Sequence, residues 1–415
     1  MAIGNVMVGQ SGGPTAVINS SLAGVFKTAQ DRGCRKIYGM KNGIEGLYHG
    51  AYVDMSDYIK SNLDIELLKR TPASFLGTCR YRLPDIESEN DVYEKIFKVL
   101  KELDIKYFFY IGGNDSMDTI MKLSRYADAI GSDIRFIGIP KTIDNDLDMT
   151  DHTPGYGSAA KYIATAVKEI ICDANTYITD SITVVEIMGR NAGWLTAASS
   201  LSKCEDCTGP DLIYLPERIF DHDLFLNRVE DLKKEKKNVT IAVSEGLKMK
   251  DGRYVCEANK KKTVTDSFGH KLLGGTAMYL SDFLMENTGI KSRGIVFSTL
   301  QRCASHMVAR CDITEAYMAG ADAVIAALNG NTAKMVIFDR ISDMPYSIVT
   351  GLCDIDKIAN MEKRVPDNLI NSDGTGVTKE FDEYARPLII GELFPFIVDG
   401  LPRHLRLQTA YGHEK

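Results

Sequence analysis

"VMVGQSGGPTAVINSSLAGV", residues 6–25, joins a short apolar run, a glycine-rich turn and a helical pattern. Val6–Gln10 has the composition of a buried strand. Gly12, Gly13 and Pro14 break it, and the apolar spacing that follows fits a helix. The same order recurs along the chain. "YFFYIGGNDSMDTIMKL" (107–123) again runs strand, Gly-Gly turn, helix. "RFIGIP" (135–140), "ITVVEIMG" (182–189), "DLIYLP" (211–216), "VTIAVSEG" (239–246) and "GIVFSTLQR" (294–302) are further short apolar runs. Each meets Gly, Pro or a polar residue at or soon after its end. Helix-length segments lie between them, such as 90–105 and 158–174. That rhythm predicts βαβ units and an α/β fold, with a mostly parallel sheet covered on both faces.

In such sheets ligands bind beyond the carboxyl ends of the strands. Those ends hold the chemistry here. The turn at Gly12 and Gly13 lets backbone approach an anion, and the following helix offers free N–H groups. It matches neither G-x-x-x-x-G-K-[ST] nor G-x-G-x-x-G, so a plain strand-to-helix turn is the competing reading. Asn114, Asp115 and Ser116 open the second helix. They either cap it or aim oxygen ligands at a magnesium ion.

"PKTIDNDLDMTDHTPGYG" (140–157) sets Lys141 ahead of Asp144, Asp146, Asp148 and Asp151. A carboxylate there can take a proton from a substrate hydroxyl, and the lysine can neutralise a transferring phosphoryl group. A solvated acidic turn is the plainer account, and it suffices for Asp148 and Asp151. Arg190 in "VVEIMGRNAGWL", Glu245 in "VSEG", and Arg302, His306 and Arg310 in "STLQRCASHMVARCD" (298–312) also follow strands. Arginine forks suit phosphate and glutamate accepts from sugar hydroxyls, although each could serve a structural ion pair instead.

Composition narrows the class. The chain has 415 residues, enough for one large core or two ordinary ones. Its 49 basic and 56 acidic residues leave a net charge of -7, which disfavours a general nucleic-acid binder. No apolar run is long enough for a bilayer, and the N-terminus reads as a strand rather than a signal peptide. The nine cysteines are scattered, and Cys204 and Cys207 lack a second CxxC to complete a zinc site. A cytoplasmic enzyme with reduced thiols is expected. There is no internal repeat or low-complexity linker. "KKEKK" (233–237) reads as a solvated helix end. Crossings between lobes are expected near Thr150–Gly157 and Cys311–Thr314. The segment from about Ser342 carries a strand-like "RPLIIGELFPFIV" (386–398) and reads as an extension around the core.

"GGNDS", "PKTIDNDL", "MGRNAGW", "SEG" and "LQR", in this order, resemble the 6-phosphofructokinase family. The resemblance runs from the N-terminus to about Gly320, and more loosely beyond it toward the longer pyrophosphate-using bacterial members. It implies two doubly wound, mostly parallel-sheet lobes with the active site in the cleft between them. Residues 1–155 with about 312–345 would form the larger, donor-binding lobe. Residues 156–311 would bind the sugar phosphate, and about 346–415 would pack on the core. The implied reaction is phosphoryl transfer to O1 of fructose 6-phosphate, reversible and magnesium-dependent, by a homodimer or homotetramer.

Residue roles follow by position. Asp144 would be the base, working with Lys141 and Asp115. Gly12, Gly13, Arg80 and Lys141 would contact the donor. Thr142, Ile143, Met188, Gly189, Arg190, Glu245, Arg302 and His306 would join Asp144 around the sugar phosphate. Asn114 and Asp146 would serve the metal.

Two positions speak to the donor. ATP-using members resemble GGDGS and PGTIDND, with glycine where this chain has Asp115 and Lys141. Glycine leaves room for the α-phosphate of ATP, whereas a carboxylate fills that room and repels it. The lysine can stabilise a pyrophosphate leaving group. Pyrophosphate is therefore the expected donor. The alternatives are ATP, or a sugar-phosphate-binding protein without catalysis. Three positions depart from the family pattern. Asn114 stands where many members have a magnesium-binding Asp. Ser181 replaces an arginine that ATP-using members lend to a neighbouring subunit's sugar site, leaving His306 or Arg310 for the 6-phosphate. Residues 303–310 differ from the glycine-rich version.

Overall fold

The computed structural model describes residues 4–87, 90–258 and 273–407. The chain opens with β1 (Asn5–Gln10), β2 (Ile37–Met40), β3 (Tyr52–Asp54), β4 (Ile105–Gly112) and β5 (Arg135–Pro140). Then come β6 (Ser181–Ile187), β7 (Leu212–Tyr214), a two-residue β8 (Ile219–Phe220), β9 (Asn238–Ser244), a two-residue β10 (Lys248–Met249) and β11 (Ser292–Val296). β12 (Lys334–Asp343) and β13 (Tyr346–Asp354) form a hairpin near the end.

These strands make two main sheets. The larger runs β13-β12-β5-β4-β1-β2-β3 and the smaller β11-β6-β9-β7. The larger has a parallel centre and one antiparallel strand at each edge. The smaller is parallel throughout. β1 is buried along its whole length, so its apolar residues run on rather than alternate. Side chains leave its two faces in turn. Met7 joins one apolar cluster with Phe108 and Phe136, while Val6 and Val8 join another with Phe109 and Ile137. Ile182 and Val185 divide between two clusters in the same way on the smaller sheet. No helix among the described residues is long and apolar enough to cross a membrane.

The two lobe crossings are bonded to each other. Asp312, fully buried, accepts from the backbone N–H of Gly155 (2.8 Å) and Ser158 (2.9 Å). It supplies the cap that Gly155 cannot give the helix Tyr156–Ala174. At the second crossing, Cys311–Thr314 lies inside the helix Arg310–Leu328.

Four details differ from the sequence reading. "RPLIIGELFPFIV" is not one strand: Arg386–Ile389 is a short 3-10 turn, Glu392 makes a single antiparallel bridge to Ala309, and Ile397–Val398 pairs with Leu401–Pro402. Gly391 has φ +80° and Pro395 has no N–H to give, which breaks the ladder. β13 lies within the larger sheet, so the chain past 346 does not begin as an extension. Lys233 is not solvated; its side chain is 7% exposed and pairs with Asp180 at 3.2 Å.

Asp151 is the fourth. It does not sit in a solvated turn but bonds buried His152 (2.8 Å) and Arg340 (2.8 Å). The other ring nitrogen of His152 faces Glu315 at 2.7 Å. Burial alone would push the Asp151 carboxyl up, but the bonds to His152 and Arg340 outweigh it and hold it down at about 2. Burial pulls His152 down, and its two carboxylate partners more than offset that, so its pKa is raised. Charged His152 therefore adds stability that is complete below its unfolded value and fades as pH rises through the folded one. His152→Gln is expected to cost about 3 kcal/mol at pH 6, the scale for removing one partner of a buried pair. Thermal unfolding across pH should show the gap to wild type narrowing as pH rises. A gap that does not change with pH would count against the charged pair.

Candidate active site

The larger sheet reverses its winding between β1 and β4, and the smaller does so at β6. Ligand sites form where loops part at such points. The loops after β1 and β4 carry Gly12 and Gly13, and Asn114 and Asp115. The loop after β6 carries Met188 and Arg190, with Glu245 after β9 and Arg302 after β11. All of these line one cavity of about 420 Å³ between the lobes.

On the larger lobe the glycine turn is held close to two cations. Gly12 has φ +75°, and a Cβ there would lie 3.2 Å from Lys141 Nζ. A Cβ on Gly13 would lie 3.3 Å from Arg302 Nη1, which belongs to the smaller lobe. The glycine turn thus lies against an ammonium and a guanidinium with no side chain between, a setting for phosphate oxygens. Arg80 lines the same cavity. Lys141 is only 3% exposed and donates to the Gly13 carbonyl at 2.9 Å. Burial lowers its pKa to about 8, with Asp144 and Asp146 pulling it back up.

The loop after Lys141 is anchored from inside. Asn145 is fully buried with φ +54°, donates to Tyr384 Oη at 2.9 Å and accepts from Thr153 N–H at 3.1 Å. Turned inward, it leaves Asp144 and Asp146 on the cavity wall with Thr142 and Ile143. The Asp144 N–H donates to Thr142 Oγ1 at 3.1 Å. Burial raises the Asp144 carboxyl, opposed by Lys141 and Arg190. Asp146 is pushed up to about 7 by burial, then by Asp144 and Glu362. Asp115 sits at the cavity mouth, its side chain 42% exposed and 3.8 Å from Arg82.

On the smaller lobe, Met188 N–H donates to buried Gln301 Oε1 at 3.2 Å, which ties the β6 loop to the β11 loop. Glu245 rises to about 7, first through burial and then through Asp144 and Glu186. Gly189 stands behind the wall, its N–H 3.5 Å from Glu245 Oε1.

The chain belongs to the phosphofructokinase family. That family's model matches residues 5–327. A pyrophosphate–fructose 6-phosphate 1-phosphotransferase of Halomonas elongata is 40% identical over 98% of this chain and 97% of its own. One of Methylococcus capsulatus is 39% identical over 98% and 96%. The crystal structure of a pyrophosphate-dependent phosphofructokinase from Nitrosospira multiformis superposes with a TM-score of 0.89 at 37% identity, covering 100% of this chain and 99% of that one.

Three residues expected around the sugar phosphate are not on this cavity wall. Gly189 does not line the cavity, and His306 is exposed outside it, as is Arg310. The helix Leu300–Cys303 ends at Ala304, and the chain turns away before His306. Ser181 lies at the amino end of β6, away from the cavity, and bonds Asn238 at 2.8 Å. The structure adds Ser11, Tyr81, Asn191 and Glu362 to the wall. Ser11 and Asn191 adjoin motifs and could have been found that way. Glu362 comes from irregular chain with no local signal.

The residues also bear on a cation. Asn114 Oδ1 is buried and accepts no hydrogen bond. Asp146 lines the same cavity. Among the described residues no three or more of His, Cys, Asp and Glu gather into a metal cage. Magnesium needs none when it rides on phosphates, since one or two carboxylates, waters and phosphate oxygens complete its shell. An orphan carbonyl oxygen and a carboxylate fit that kind of ion.

Proposed function

We propose that this phosphofructokinase transfers a phosphoryl group from pyrophosphate to O1 of fructose 6-phosphate. The products are fructose 1,6-bisphosphate and phosphate, and the reaction runs reversibly. The observation that carries the donor is Lys141, buried against Gly13 where ATP-using members resemble glycine, with Asp115 at the mouth. A donor longer than pyrophosphate would meet the Asp115 carboxylate.

Asp144 takes the proton as O1 attacks phosphorus and the bridging P–O bond breaks, leaving phosphate. The ammonium of Lys141 and the guanidinium of Arg190 favour its charged form. Lys141, Gly12, Gly13 and Arg80 hold the donor. Arg190, Glu245, Arg302, Met188, Thr142 and Ile143 hold the sugar phosphate. Asn114 and Asp146 would hold a divalent cation, magnesium by its preference for oxygen, which would neutralise charge on the diphosphate. Residues 1–155 with about 312–354, which takes in β13, form the donor-binding lobe and 156–311 the sugar lobe. We place the enzyme in the cytoplasm as a homodimer or homotetramer; its nine free cysteines suit a reducing compartment.

The test is fructose 1,6-bisphosphate formation from fructose 6-phosphate and Mg²⁺, with pyrophosphate or ATP in parallel. Turnover with pyrophosphate and not ATP is expected. Turnover with ATP alone would overturn the donor assignment, and turnover with neither would favour a binding protein.

A further inference from the structure

Behind the cavity an irregular stretch, residues 360–366, runs from one lobe to the other, and Lys363 bonds to both. Its N–H donates to the Asp146 carbonyl at 2.8 Å. Its ammonium donates to the carbonyls of Thr150 (2.9 Å) and Asp151 (2.5 Å). Its own carbonyl accepts from Trp194 Nε1–H at 3.0 Å, and its ammonium lies 5.2 Å from the centre of the Trp194 ring. Two residues on, Val365 N–H donates to Glu217 Oε1 at 3.0 Å, the oxygen that also takes Gly193 N–H at 2.8 Å.

One residue thus grips both ends of the loop Asp146–Asp151 and the indole of the other lobe. The near end of that loop is two residues from Asp144. Trp194 is two residues from Ala192 on the sugar-side wall. The ammonium has three donors. Two are spent on carbonyls of the loop, and its charge rests against an aromatic face. Its position fixes the loop relative to the ring.

We propose that Lys363 is a positioning residue that couples the loop bearing Asp144 and Asp146 to Trp194, so that sugar binding on the smaller lobe and placement of Asp144 are one event. The inference rests on the function assigned above, and its test separates the two. Trp194 is the chain's one tryptophan, so its fluorescence reports this contact without a label.

Lys363→Met keeps the stem and removes the ammonium. Turnover is expected to fall about 10²-fold, the scale for misplacing a reacting group by about 1 Å. KM for both substrates should stay within about threefold of wild type, because no substrate contact is removed. Fructose 6-phosphate should change Trp194 emission in wild type and much less in the variant. Lys363→Arg, which still offers donors to both carbonyls, should recover most of the turnover and the emission change. A Lys363→Met enzyme with normal turnover, or one whose loss lies in KM alone, overturns the coupling. Should that variant fail to fold, the wild-type titration decides: no change in Trp194 emission at saturating fructose 6-phosphate overturns it too. If wild type turned over neither donor, the functional reading would fall, and the emission titrations would still decide the coupling.

Discussion

Asp144→Asn is expected to reduce turnover by about 10² or more while leaving fructose 6-phosphate bound nearly as well. The lower figure is the usual loss on removing a general base. The amide has almost the carboxylate's shape, so the backbone bond from Asp144 N–H to Thr142 Oγ1 survives. What disappears is the acceptor for the O1 proton. It also removes a negative charge from beside Lys141, Asp146 and Glu245. Asp146 and Glu245 should then give up their protons more readily, since Asp144 is one of the groups raising them. Kinetics and equilibrium binding of fructose 6-phosphate should be measured side by side. Binding lost in step with turnover would remove Asp144 from the role of base and return it to substrate contact.

Lys141→Gly with Asp115→Gly is the second large effect. Pyrophosphate turnover should drop about 10²- to 10³-fold, the scale for losing one preorganised charge at a transferring group. ATP turnover should rise from the wild-type background, because the same change opens the mouth and removes a carboxylate that repels the α-phosphate. The physical case for Lys141 lies in its burial. An ammonium at 3% exposure has little water to screen it, so its field acts on whatever anion fills the cavity. The case for Asp115 lies in its place at the rim, where Arg82 is its partner. Each donor's kcat/KM in the single and double variants separates the two residues. An unchanged donor ratio in the double variant would end the argument for both.

The motifs around Gly12, Asn114, Lys141, Arg190, Glu245 and Arg302 were legible because each is a local event. A buried strand ends, a tight turn begins, and a polar residue is left at the end of the sheet. Six such events recur, three on each sheet, at the carboxyl ends of parallel strands that face one cavity. His306 is close in sequence to Arg302, but the helix at Arg302 is one turn long and His306 is exposed off the cavity wall. The strand-like 386–398 misled because apolar composition does not keep a run extended: a 3-10 turn and Gly391 at φ +80° split it into short pairings.

By itself, then, the sequence determined the α/β class, the strands that end at the cavity, and the charged residues at those ends. These depend on spacing over a few residues. Tertiary structure alone decided that Arg302 of one lobe meets Gly13 of the other and that Asp312 caps a helix begun at residue 156. It also decided that His152 and Asp151 form a buried pair and that Glu362 and Lys363 reach the back of the site. Those contacts join residues from 154 to more than 280 positions apart in all but the His152–Asp151 pair, through chain with no period. Nothing local marks them, because the energy that places them comes from packing two lobes together rather than from the preference of any one segment.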